Sequence, residues 1–185
     1  MRFVLHYRGP LKVNGGTTHK HELRCHFHAQ LKQLWSQKPL VEIPQWLREP
    51  KDPNGYHFLR QIGGFVFAPL VTAEVNAVAE LALTLLRPEL PGGLVTRGGD
   101  IDNRLKTLLD ALSMPRLPNA LPPNLDPATG EKPIFCLLED DNLITNLAVR
   151  TEQLLGAATD PSHVDVTISV RTRVTRQTFD NGVFA

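Results

Sequence analysis

Carboxylates, an amide and an ammonium crowd into one short stretch, Gly98-Gly99-Asp100-Ile101-Asp102-Asn103-Arg104-Leu105-Lys106. Magnesium prefers oxygen ligands, usually a few carboxylates completed by waters. Hydrolysis of a phosphodiester needs an activated water and neutralisation of the charge that develops on phosphate, for which a neighbouring Lys is suited. Asp100 and Asp102 are expected to end an extended segment with their side chains pointing the same way. Asp102 is also placed to cap a following helix, with Lys106 and then Asp110 each one turn further on. A second acidic group, Glu139-Asp140-Asp141, can complete such a site from the start of a later strand. The same residues admit a plainer reading, in which Asp102 is only a cap, Asp102 and Lys106 form a surface ion pair, and Asp140-Asp141 is a solvated turn.

The elements that must position these groups can be read from periodicity. Arg2–Tyr7 suits a strand, broken by Gly9-Pro10 and Asn14-Gly15-Gly16. Thr17 or Thr18 can cap a helix running to about Gln37, with Leu23, Phe27, Leu31 and Leu34 as its apolar stripe. Residues 39–63 are irregular, Gly64–Val71 suits a strand, and Glu80–Leu86 suits another, although Ala73–Glu80 could equally begin as a helix. A helix over Asp102–Leu112 buries Leu105, Leu108, Leu109 and Leu112. Six prolines make residues 113–133 a loop. Ile134–Leu138 is a short apolar run into the second acidic group, Leu143–Leu155 reads as a strand, and Val164–Val174 alternates apolar with polar as a half-buried strand must. The pattern predicts one α+β domain over residues 1–185, with a mixed or antiparallel sheet and two main helices.

Composition narrows the classes. With 42% hydrophobic and 21% charged residues the chain reads as globular, and it has no apolar run long enough to span a bilayer. The start does not read as a signal peptide, and two distant cysteines form no disulfide framework, so a reducing, cytoplasmic setting is expected. A net charge of +1 hides an asymmetry: residues 1–38 hold seven Lys/Arg against the single acid Glu22, whereas residues 98–142 hold eight acids against four bases. A basic end suits a polyanion and an acidic centre suits a divalent cation, although chance clustering on a solvated surface would look the same. His21, Cys25 and His28 recur at helical spacing with Lys32 behind them. Zinc takes such ligands, but with no fourth in sight a polar, basic surface is the expectation. Arg171 and Arg173, with Arg176 beyond, suit phosphates, a partner subunit or plain solvent. Trp35, Trp46 and Phe58 are expected to be packing residues.

The order Asp100-x-Asp102-Asn103-x-x-Lys106-x-x-x-Asp110-Ala111-Leu112, followed by Asp140-Asp141-x-x-Ile144 entering a strand, resembles the RusA-type Holliday junction resolvases. The resemblance covers about residues 64–175. It implies a homodimeric, Mg²⁺-dependent endonuclease (Mn²⁺ being an alternative ion) that resolves four-way DNA junctions by phosphodiester hydrolysis in recombination and repair. Carried over by position, Asp100, Asp102 and Asp141 are the essential carboxylates and metal ligands, Asp140 is a further ligand, and Lys106 is the catalytic cation. Asp110 is a secondary candidate, and Asn103 orders the turn. The chain departs from the family between Asp110 and Asp140, where 30 positions replace a short link; the Pro-rich segment is the insertion, and passive surface is its default reading. Three alternatives stay open: a Mg²⁺ nuclease for other branched nucleic acids, a DNA-binding module without catalysis on the same scaffold, and a cation-stabilised domain unrelated to DNA.

Overall fold

The alternation of Val164, Val166, Ile168 and Val170 with polar residues organises the molecule, because it gives one strand a fully apolar inner face. In a computed structural model, which describes residues 1–48, 57–88, 101–155, 160, 162–178 and 181–184, that strand is β7 (His163–Val174). It lies between β1 (Arg2–Pro10) and β4 (Ala77–Arg87), antiparallel to both, and β6 (Ile144–Gln153) joins β4 in parallel at the edge. A smaller sheet holds β2 (Arg60–Ile62), β3 (Phe65–Val71) and β5 (Ile134–Leu138). β2 and β3 form a hairpin across Gly63-Gly64, where Gly63 takes φ +59°, a conformation open to glycine at little steric cost. β3 and β5 are parallel.

Two helices cover the inner faces. Helix α1 (Thr17–Trp35) buries Leu23, Phe27 and Leu31 against the sheets, and α2 (Ile101–Leu112) buries Leu108, Ala111 and Leu112. Leu34, Leu105 and Leu109 are only partly buried and pack at the margin of the core. Phe58, Trp46 and Phe184 stack into one aromatic group, with Trp35 edge-on to Phe58, so both tryptophans are packing residues as expected. The result is a single α+β domain with two helices and mixed sheets.

Three local expectations change. Helix α1 starts at Thr17 itself, and its cap is Gly16 with no side-chain hydrogen bond, so neither threonine caps it. The chain there hugs α2: Gly15 donates to Thr107 Oγ1 at 3.0 Å, and a Cβ on Gly15 would come within 2.8 Å of Thr107 and 2.7 Å of His19. Residues 73–76 form a turn, with Asn76 at φ 55°, and β4 begins directly after it, so no helix forms there. Asp102 lies inside the first turn of α2, so it neither caps that helix nor ends an extended segment. An acid there still interacts favourably with the positive end of the helix dipole.

Candidate functional site

Along the exposed edge of α2 run Asp102, Lys106 and Asp110, at successive turns. Where the helix ends, a cleft of about 360 Å³ opens, lined by Lys20, Asp110, Arg116, Glu139, Asp140 and Asp141 among others. Sequence dictates this meeting. β5 is buried along its whole length, so it must run under α1, and Leu138 forms a parallel bridge with Ser113, just past α2. The three acids after Leu138 therefore emerge at the C-terminal end of α2.

Each carboxylate in the cleft has a basic partner. Lys20 Nζ lies 2.7 Å from Asp110 Oδ2. Arg60 donates to Glu139 at 3.1 Å, and the Ala73 N–H donates to the other Glu139 oxygen at 3.1 Å, so Glu139 ties β5 to the β3–β4 turn. Exposed Arg116 pairs with Asp140 and lies 3.4 Å from Asp141 Oδ1. Asp140 also accepts from Asn142 N at 3.0 Å, starting the short turn Asp141–Leu143. Partial burial pushes the Asp140 carboxyl up, but the bonds from Asn142 and Arg116 outweigh it and hold the group below the usual carboxylate range. A carboxylate whose folded pKa is depressed stabilises the fold above its unfolded pKa, about 3.9, and that contribution is lost as pH falls through the folded value. The stability difference between wild type and Arg116→Ala is thus expected to be present at neutral pH and to vanish in acid, as read from urea midpoints across pH. A difference that grew below pH about 4 would remove the ion pair as its cause.

The sequence-derived site is brought together only in part. Asp140 and Asp141 share the cleft with Asp110; Asp102 and Lys106 are exposed, do not line it, and have no hydrogen-bond or ion-pair partner among the described residues. Asp100 lies outside the described residues. Strand pairing explains the separation. β6 runs parallel to β4, with Ile144 beside Ala79, so Asp140-Asp141 sit at the start of β4. The first turns of α2 lie at the other end: Arg104 donates to the Leu11 carbonyl at 2.6 Å, and Leu11 bonds to Ser162, next to the β7 residues that pair with the end of β4. Ala79 to Leu86 spans about 23 Å, and Asp102 to Asp110 about 12 Å along the helix. Asp102 and Asp141 thus belong to opposite ends of α2 in one chain.

The basic N-terminal region is not one patch. Arg24 is buried and donates to the carbonyls of Ser113 (3.2 Å) and Asp110 (3.0 Å), closing the end of α2. Lys32 bonds to the Gly130 carbonyl and Lys38 pairs with Glu42, while Lys20 faces the cleft. Arg2 and Arg8 lie on the open face of the large sheet, which also carries Arg171 and Arg173, both paired with Glu80.

The polar stripe of α1 is a buried seat, not a basic surface. His21 and His28 are 6% and 8% exposed. His28 Nδ1 accepts from Phe135 N at 2.9 Å and its ring stacks on Phe135. Lys32 holds Gly130, and Cys25 Sγ donates to Glu131 Oε1 at 3.3 Å with His21 Nε2 at 3.5 Å. The Pro-rich segment is thereby docked on α1, and its Leu121 is buried beside Phe65, Phe67, Ile134 and Cys136. The ligand atoms of His21, Cys25 and Glu131 lie within 4.8 Å of one another, a cluster that could hold a metal ion. Sequence reasoning missed Glu131 and Arg116, because both come from the insertion, where nothing in the spacing links them to α1 or to Asp140-Asp141.

Burial, and for Cys25 the Glu131 carboxylate, push both thiols up to about 12 from the ordinary 9.0. Both thiols therefore stay protonated far more than a free cysteine does near pH about 8. Iodoacetamide is expected to label neither in the folded protein and both in urea; rapid labelling of Cys136 in the folded state would contradict its burial.

Comparison with family models, curated proteins and solved structures gives no match.

Proposed function

We propose that the chain is a divalent-cation-dependent endonuclease acting on branched DNA, with the four-way junction as its substrate. One observation carries the reading most. An exposed helix edge bearing Asp102, Lys106 and Asp110 leads into a cleft that also contains Asp140 and Asp141, and these are the acids and the cation of the RusA-like motif. The donor set fits Mg²⁺, since Asp110, Asp140 and Asp141 offer oxygen only. Bound there, the ion would supply Lewis-acid polarisation of phosphate and a more acidic water. Asp140 and Asp141 would hold it, with Arg116 turning away from them; Arg116 is exposed, so its displacement costs little packing. Lys106 would meet phosphate oxygens, and Asp102 extends the acidic edge toward the other end of α2. A four-way junction has two equivalent scissile positions, so a two-fold dimer offers one site to each. No helix among the described residues is long and apolar enough to cross a membrane.

The test is a labelled synthetic four-way junction beside a flap and a linear duplex, with and without Mg²⁺ or Mn²⁺. Paired symmetric nicks that require the ion and spare the duplex are the expected result. Cleavage confined to flaps would move the substrate to other branched structures. A second reading, a DNA-binding module without catalysis, draws on the ion pairs that already neutralise Asp140 and Asp141. It requires junction binding with no ion-dependent product.

A further inference from the structure

We propose that His21, Cys25 and Glu131 form a zinc site that fastens the Pro-rich segment to α1. It is separate from the acidic cleft and independent of the nuclease reading. Zinc bonds to thiolate at about 2.3 Å and to imidazole or carboxylate at about 2.0–2.1 Å, so a tetrahedral ion sets neighbouring ligand atoms about 3.5 Å apart. Cys25 Sγ lies 3.5 Å from His21 Nε2 and 3.3 Å from Glu131 Oε1, and all three ligand atoms fall within 4.8 Å. Little side-chain movement is therefore needed to admit the ion.

The supporting structure is that of a held ligand set. His21 and Cys25 are one helical turn apart on α1, so the helix fixes their separation. The His21 ring is packed edge-on against Phe65 at 5.3 Å, and the residue is 6% exposed. Glu131 is oriented by its own loop: Ala128 N donates to Oε2 at 2.8 Å, which leaves Oε1 toward Cys25. Partners that orient a ligating carboxylate in this way are typical of metal sites. His28, the other histidine of the stripe, is not a ligand, because its Nδ1 already accepts from Phe135. The protein thus supplies three ligands, and a water completes the tetrahedron. Binding exchanges the thiol proton for the ion: the Cys25 S–H bond gives way to S–Zn, and the proton leaves to solvent. Thiolate and imidazole favour zinc-class ions over Mg²⁺. The consequence is mechanical, since Glu131 belongs to the segment between α2 and β5 whereas the other two ligands belong to α1.

The experiment strips the full-length protein with a chelator, then adds Zn²⁺ in competition with a chromogenic chelator, and in parallel adds Co²⁺. One Zn²⁺ per chain is expected, undisturbed by excess Mg²⁺. The Co²⁺ form should show near-ultraviolet thiolate-to-cobalt absorption and slower proteolysis within residues 113–133. Cys25→Ser, His21→Gln and Glu131→Gln should each weaken Zn²⁺ by on the order of a hundredfold or more. His26→Gln, on the exposed side of α1, should not. Wild-type protein without thiolate-to-cobalt absorption, or Zn²⁺ binding equal in wild type and Cys25→Ser, would overturn the site and leave only a thiol hydrogen-bonded to a carboxylate. The cobalt spectrum is read on wild type, so the outcome does not depend on any variant folding.

Discussion

Asp141→Asn is expected to lose ion-dependent junction cleavage by on the order of a hundredfold or more, with junction binding retained. Asparagine keeps the size of the side chain and one oxygen but removes the charge that holds a divalent ion. Asp141 is exposed and its partner is Arg116, so the fold should not suffer. Asp102→Asn separates two versions of the reading. The RusA-like motif requires it to be as damaging as Asp141→Asn, although the two residues stand at opposite ends of α2 in one chain. Equal losses would mean that both ends of the helix serve one reaction. Loss only in Asp141→Asn would confine the ion to the cleft with Asp110 and Asp140. Arg116→Ala sharpens the test, since removing the competing cation should lower the Mg²⁺ concentration needed for half-maximal rate. If Asp141→Asn cleaves as wild type does, the assignment of the cleft fails.

The strands and helices were legible because their inner faces follow simple periods. β7 alternates over its whole length, and the Leu23, Phe27, Leu31 stripe of α1 marks the face that the core receives. Pairing was not legible in the same way. Nothing in Ile144–Gln153 states that it joins β4 in parallel, yet that choice decides which end of the sheet receives Asp140-Asp141. Motif order therefore suggested one cluster of acids, and strand topology divided it. The stripe His21, Cys25, His28 and Lys32 shows the complementary limit. Its residue types are those of a polar surface, yet His21 and His28 are buried against Phe65 and Phe135, and an insertion with six prolines folds back onto Cys25 and Lys32. Long-range docking by a loop leaves no period to read. In the sequence Arg24 is one of seven basic residues near the start of the chain, whereas its role depends on a helix end some 86 positions away.

That role gives the largest expected effect on stability. Arg24→Met should destabilise the protein by about 2–4 kcal/mol, read from urea midpoints at fixed slope. The guanidinium is 3% exposed and donates to the carbonyls of Asp110 and Ser113, two of the groups left without partners where a helix ends. Burial lowers the Arg24 pKa, yet an arginine remains charged at neutral pH, so these bonds are charge-assisted. A buried cation carries a desolvation cost, and its Nη1 has no partner, which sets part of the gain aside. Methionine avoids that cost and keeps most of the packing, but it strands one buried and one part-buried carbonyl, and the stranded acceptors decide the sign. Arg24→Lys should fall between, because one ammonium cannot reproduce the fork that spans both carbonyls. Because Asp110 and Ser113 line the cleft, loosening this end of α2 should also slow cleavage without changing which ion it needs. A stability loss below about 1 kcal/mol in Arg24→Met would mean that water can satisfy these carbonyls, and that the end of α2 is held by the bridge between Ser113 and Leu138 instead.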